Sequence, residues 1–302
     1  MCSSFGLKSQ IIPDLSGGKP GKMYFLDLND DDAVPVPFDF SADFNSMNFN
    51  PHGISHFMDH SDGAEKILLF VVNHPNHDSQ VDIFHVNLES KLLIYQKTVQ
   101  HDLLPHINNI VAVGIDAFYA TNNHISEEET TFLLSFVMPM NDANVIFYND
   151  NKAVVVAHGL GMANGINLSP DGRHVYVADS TNKEVKVMNR KEDNSLSLQK
   201  VIKLHVLPDN IEVDRKTGSL WIGCLPSLWP LVFYGTKHSP GSEVVRIDCP
   251  SSAEPSVTTI YSNNGSELQS SSVAARHESH LLIGTVFHRM MRCTLPIIPL
   301  EC

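Results

Sequence analysis

Residues Asn164 to Ser180 read NGINLSPDGRHVYVADS. A polar residue leads into an alternating apolar run through Ile166 and Leu168. Ser-Pro-Asp-Gly follows at 169–172, and then a second run through Val175 and Val177. Alternation of period two argues for strands, and Pro-Asp-Gly between two such runs is the chemistry of a hairpin turn. The same plan recurs from Pro51 (PHGISHF, then KILLFVVNH), Asn108 (NNIVAVGIDAFYATNN), Asp209 (DNIEVDRKTGSLWIGC) and Ser271 (SSVAARHESHLLIGTV). Anchored on Ile54, Ile110, Ile166, Ile211 and Val273, the steps are 56, 56, 45 and 62 residues. That spacing suits a four-stranded propeller blade with outer loops of variable length. Further strands are expected at Val81–Val86, Glu184–Met188 and Glu243–Ile247.

The expected architecture is all-β, a six-bladed β-propeller in one domain over 1–302. Residues 51–293 supply five full repeats and 294–302 a tail without pattern. Residues 1–50, with KPGKMYFLDLNDDD at Lys19–Asp32, read as the remainder of a first blade whose inner strand is not in the chain. The chain is therefore expected to start inside that blade.

Composition bounds the function. Hydrophobic residues make up 42% and charged residues 18%, the profile of a globular core. A formal charge of −13, from 34 acidic and 21 basic residues, excludes the basic face that a nucleic-acid partner needs, and it suits cation binding or plain solubility. There is no run of about 18 apolar residues to span a bilayer. MCSSFGLKSQ has no basic segment followed by an apolar one, so it does not read as a secretory signal. The five cysteines lack C-x-x-C spacing.

In a propeller the inner strands surround the axis, so equivalent positions on separate repeats converge. These positions are His52, Asn108, Asn164, Asp209 with Asn210, and Ser271 with Ser272. Two readings stand here: oxygen ligands for calcium, or strand-end amides that hold buried water. His52 begins one strand of a hairpin and His74 ends the other, so the two should meet at one rim. There they either activate water or hydrogen-bond loop backbone. His60, His77 and His101 lie in polar turns and are expected to be solvated. Asp27–Asp32 fails as a calcium loop, having Asp32 where glycine belongs and Phe38 where the bidentate glutamate belongs. Serine-hydrolase, zincin and Walker signatures are absent. The apolar stretch Thr131–Met140 reads as a lid, a membrane-surface contact or a buried strand.

At PGKMYFLDLN, FNPHGIS, LLFVVNHP, LLPHINNIVAVG, FYATNNH, ANGINLSPDG, DNIEVD, GSLWIGC, GSEVVRI and LLIGTVFH the sequence resembles the paraoxonase family, over roughly Ser3 to Cys293. The resemblance implies six blades, two calcium ions in the tunnel, and hydrolysis of lactones, aryl esters and, in some members, organophosphates. By the same resemblance Asn108, Asn164, Asp209 and Asn210 hold a catalytic calcium. The backbone oxygen of Ile54 and the side chain of Asn109 hold a structural one. His52 and His74 form the water-activating dyad, and Asn123 with His124 matches an axial pair. The resemblance also implies a disulfide at Cys293 and a secreted or luminal, membrane-associated location with a possible membrane or lipoprotein surface as partner. The sequon Asn264-Gly-Ser266 in a turn agrees with that location, while Asn167-Leu-Ser169 falls within an inner strand.

The sequence departs from the family where an upstream Glu-Asp pair, one carboxylate for each calcium, is outside the chain, as is the partner of Cys293. Asn109 and Asn123 are amides where the family has carboxylates. Fewer anionic ligands imply weaker calcium binding. The leading expectation is a calcium-dependent hydrolase of lactones and aryl esters. The alternative is a non-catalytic scaffold or chaperone propeller.

Overall fold

In the computed structural model the described residues are 19–30, 32–61, 63–124, 141–227, 240–286 and 288–295. They form an all-β propeller arrangement with two short 3-10 turns. Among them, no helix is long and apolar enough to cross a membrane. The stretch Thr131–Met140 lies outside the described residues.

Five sheets follow one another along the chain, each built of antiparallel hairpin strands ordered outward from its inner strand. The inner strands are Pro51–Asp59, Ile107–Gly114, Ala163–Leu168, Leu207–Val213 and Ser271–His277. The middle three sheets have four strands each. The strands expected from sequence are present as Gln80–Asn87, Glu184–Arg190 and Ser242–Asp248. The hairpin at 169–172 closes as its chemistry requires. Gly172 takes φ +72° and donates to the Ser169 carbonyl, while Asp171 accepts from the Ser169 hydroxyl and the Arg173 amide.

Two departures concern the ends. The last sheet has three strands among the described residues rather than four: Ser271–His277, His280–Thr285 and Met291–Thr294. Residues 19–50 form a two-stranded ladder, Tyr24–Phe25 against Val36–Pro37. They also form a short strand, Asp39–Phe40, that joins the outer edge of the first sheet in parallel with Leu92–Leu93. Aromatic burial explains that placement. Phe40, Phe44 and Phe49 stack around Phe84, with ring centroids 4.9 Å apart for Phe44–Phe84 and 5.6 Å for Phe40–Phe84.

Consecutive sheets bury their faces against each other. Phe70 and Ile83 meet Ile110 and Phe118, Tyr119 and Val145 meet Ile166 and Val177, Val185 and Val187 meet Ile211 and Ile222, and Trp221 meets Ala274 and Ile283. The inner strands touch in the same succession from the Pro51 strand to the Ser271 strand. Among the described residues no comparable strand contact joins those two.

Every inner strand breaks register at the same point, between Pro51 and Ile54, Ile107 and Asn109, Ala163 and Ile166, Pro208 and Ile211, and Ser271 and Val273. A β-bulge re-aims the side chains beside it, and these breaks contain the polar positions singled out from sequence. They also bring neighbouring backbones very close. A Cβ on Gly165 would stand 2.5 Å from the Asp209 carbonyl oxygen and 2.7 Å from the Asn210 Cα. Gly165→Ala is expected to cost about 1–3 kcal/mol through overpacking of rigid backbone, read as a fall of several degrees in melting temperature. An unchanged melting temperature would remove this close approach as a constraint.

Candidate active site

The histidines expected at one rim meet there. His52 Nδ1 lies 3.3 Å from His74 Nε2, and His74 Nδ1 lies 3.2 Å from the Asp78 carbonyl oxygen. A carbonyl only accepts, so His74 Nδ1 carries the proton and His74 Nε2 accepts from His52 Nδ1–H. The second ring nitrogen of His52 is left as a lone-pair base. Burial, then the neighbouring His74, lowers the His52 pKa to about 3, and burial lowers that of His74. The dyad is therefore neutral near pH 7.

Asn123 and His124 sit beside this pair. Asn123 Oδ1 accepts from His124 Nδ1 at 2.5 Å, and the His124 ring stacks on His106 at 4.3 Å and 9°. Burial, then His106, lowers the His124 pKa to about 4. His106 also acts electrostatically on His74. Sequence reasoning passed over His106, although it stands two residues before Asn108 in the quoted LLPHINN. Of the histidines expected to be solvated, His60 is exposed, whereas His101 is half-buried and accepts from the Leu103 amide at 3.0 Å.

The polar ring divides into two sets. Asn108 Oδ1 and Asn164 Oδ1 are buried and have no hydrogen-bond partner. Asp209, 9% exposed, has its pKa raised by burial to about 7, with hydrogen bonds from Ser272 and Asn164 opposing the shift. Two orphaned amide oxygens beside a desolvated carboxylate fit a hard cation, which would supply the partner that the two amide oxygens lack. Asn109 and Asn210 are arranged differently. The Asn109 amide nitrogen donates to Asn210 Oδ1, and Asn210 Nδ2 donates to Asp209 Oδ1 at 3.2 Å and to Ser272 Oγ at 2.9 Å. Ile54 lies in the break opposite, with its side chain in the first sheet's core. Ser271 turns away, its hydroxyl donating to the carbonyls of Cys224 and Glu243. Among the described residues no three His, Cys, Asp or Glu side chains are grouped so as to hold a metal ion, and the oxygens of this ring are mainly amides. One step deeper, burial raises the pKa of Glu212 to about 7; sequence alone did not single it out.

Of the remaining positions, Asn264 is exposed in the loop before the last inner strand, and its side chain accepts from the Ser266 amide. Asn167 is engaged, donating to the Ile211 carbonyl at 2.9 Å. Cys293 is a free thiol on strand Met291–Thr294, whereas Cys249, which carried no expectation, is disulfide-bonded.

The family model described as Arylesterase matches residues 2–295. The chain belongs to the arylesterase family. It is 42% identical to serum paraoxonase/arylesterase 2 of Bos taurus over 292 residues, 97% of this chain and 82% of that one. Against the Homo sapiens protein of that name the identity is 41%, and against serum paraoxonase/lactonase 3 of Oryctolagus cuniculus 40%, with the same coverage. Among solved structures, a Lactobacillus plantarum protein superposes with a TM-score of 0.55 at 9% identity, covering 97% of this chain and 91% of its own. A putative 6-phosphogluconolactonase from Bacteroides fragilis gives 0.53 at 13%, covering 90% and 85%. At these identities the likeness is one of fold.

The lowered histidine pKa values predict an acid-sensitive contribution to stability. Unfolded imidazoles titrate near 6.5, so these histidines alone make the unfolded chain bind more protons below that pH, and their contribution to stability falls as pH drops from about 6.5 toward 3, while Asp209 and Glu212, raised to about 7, act in the opposite direction over the same range. Thermal melts of the wild type and His52→Gln at pH 8, 6.5, 5.5 and 4.5 isolate the His52 contribution: the wild-type melting temperature should lose ground to the variant's as pH falls, giving the two different slopes. Equal slopes would count against a buried neutral His52.

Proposed function

We propose that this arylesterase-family chain hydrolyses aryl esters and lactones, with His52 as general base, His74 as its positioning partner and calcium as cofactor. The observation that carries the reading is the polarity of the dyad. The Asp78 carbonyl orients His74, His74 orients His52, and a lone pair is left at the rim, beside a ring of cation-seeking oxygens. Names of the relatives at 40–42% identity, paraoxonase, arylesterase and lactonase, supply the substrate class.

Asn108, Asn164 and Asp209 would hold the ion, with Asn210 adjoining. When bound, calcium supplies Lewis-acid polarisation of the ester carbonyl. The chain's own residues do the rest. His52 accepts a proton from water as the water oxygen attacks the carbonyl carbon; the carbon–oxygen ester bond then breaks, and the leaving phenolate or alkoxide takes up a proton. Burial makes the resting imidazole a weak base. Negative charge developing on the attacked carbonyl raises its proton affinity as transfer proceeds, because opposite charges interact strongly in a dry site. His74 keeps the base in the right tautomer and orientation, and His106, stacked on His124, acts electrostatically on His74.

The reading extends to a six-bladed ring, the sixth position lying between the Ser271 and Pro51 sheets, whose strands make no extensive contact with each other among the described residues. Serum relatives support secretion, the exposed Asn264 supports glycosylation there, and a membrane or lipoprotein surface remains part of the same reading.

Purified protein should hydrolyse phenyl acetate and an aliphatic lactone with calcium and lose turnover in chelator. His52→Gln should lower kcat on both substrates by about 10²–10⁴-fold, the range for a general base, with the melting temperature at pH 8 held. A folded, calcium-loaded protein without turnover would sink the proposal.

A further inference from the structure

We infer that the Asn109–Asn210 amide bridge occupies the oxygens a second axial ion would need, so that this chain binds one cation, at Asn108, Asn164 and Asp209, and needs no second. The inference rests on the calcium reading above for its one ion, and on the bridge alone for the absence of another.

Hydrogen-bond partners fix the polarity of the bridge at both ends. Asn109 Oδ1 accepts from the Ile110 amide at 2.7 Å, so the Asn109 nitrogen is the end that faces Asn210. Asn210 Nδ2 donates to the Ser272 carbonyl at 3.1 Å, and a carbonyl only accepts, so the Asn210 oxygen is the end that faces Asn109. Neither amide can be flipped without setting like against like. The bridge spans 101 residues of sequence and ties the Ile107 sheet to the Leu207 sheet past the one between them. Asn210 carries it on to Asp209 and Ser272. On the other side Thr121 Oγ1 accepts from the Asn109 amide at 3.1 Å and donates to the Asn164 carbonyl at 2.6 Å. Four inner strands are thereby joined by direct hydrogen bonds.

A second cation would need oxygens that the bridge has already engaged, and it would face the hydrogens of the Asn109 nitrogen. Space is also short. A Cβ on Gly53 would stand 2.7 Å from both Asn109 Cα and Asn109 Oδ1. The contrast with the other set is chemical: Asn108 Oδ1 and Asn164 Oδ1 have no partner and the carboxylate lies beside them, whereas Asn109 Oδ1 and Asn210 Oδ1 are both satisfied.

The test uses the full chain, stripped with chelator and titrated with calcium by isothermal calorimetry, with melting followed in parallel. Expected results are one ion per chain for the wild type and one for Asn109→Ala, the latter melting several degrees lower in chelator because the bridge is gone. Asn109→Asp, which lacks the donor and adds a carboxylate, should also melt lower in chelator, but bind two ions and recover its melting temperature with calcium. Two ions in the wild type, or an unchanged melt for Asn109→Ala in chelator, would overturn the inference. No calcium binding by the wild type, with the Asn109→Ala melt still lowered, would overturn the calcium reading and the one-ion count while leaving the bridge's structural role intact. The wild-type stoichiometry decides the ion count even if a variant fails to fold.

Discussion

The structure depends on one repeated constraint: each inner strand leaves its ladder at its N-terminal end, just where it reaches the axis. A continuous ladder would keep alternating its side chains between the two faces of each sheet. The break turns the polar residues toward the centre instead, and lets neighbouring backbones approach so closely that Gly53 and Gly165 have no room for a Cβ. Polar groups are thus delivered into a place that holds little water. There each must find a partner or remain orphaned at a cost of about 1–3 kcal/mol.

The chain meets that cost in two ways. Asn109, Asn210, Ser272 and Thr121 satisfy one another, so their contribution is mechanical and tightens the axis. Asn108 Oδ1 and Asn164 Oδ1 are left without partners beside the desolvated carboxylate of Asp209, and the calcium proposal rests on that arrangement. Adjacent residues of one inner strand take opposite roles: Asn108 is open and Asn109 closed. Amides in place of carboxylates make the closed state possible, since an ionised carboxylate cannot donate.

The rim obeys the same physics with a different residue type. Desolvated histidines packed together are held neutral, even with Asp142 opposing the shift at His124, and a neutral imidazole whose tautomer is set by a backbone carbonyl has a lone pair of defined direction. Burial therefore sets the protonation state of the pair.

Much of this was legible in the residues. Period-two runs around Ser-Pro-Asp-Gly named the hairpins, the repeat spacing named the propeller, and His52 and His74 were paired because one hairpin must bring its ends together. Partner choice was not legible. Nothing local distinguishes Asn108 from Asn109, since which amide meets Asn210, 101 residues away, depends on how the blades close around the axis. The packing of Phe40 and Phe44 onto Phe84 was hidden for the same reason: an apolar run states that it will be buried, not against what. His106 was legible by the same hairpin logic that paired His52 with His74, since it stands just before the Ile107 strand and His124 just after the strand paired with it; it was missed because Asn108 was taken as the start of the repeat. Sequence by itself determined the elements and the polar residues each sends inward, because periodicity and turn chemistry are local. Tertiary structure alone decided which of those residues are satisfied and which are left open, because a hydrogen bond's partner is set by distance in space.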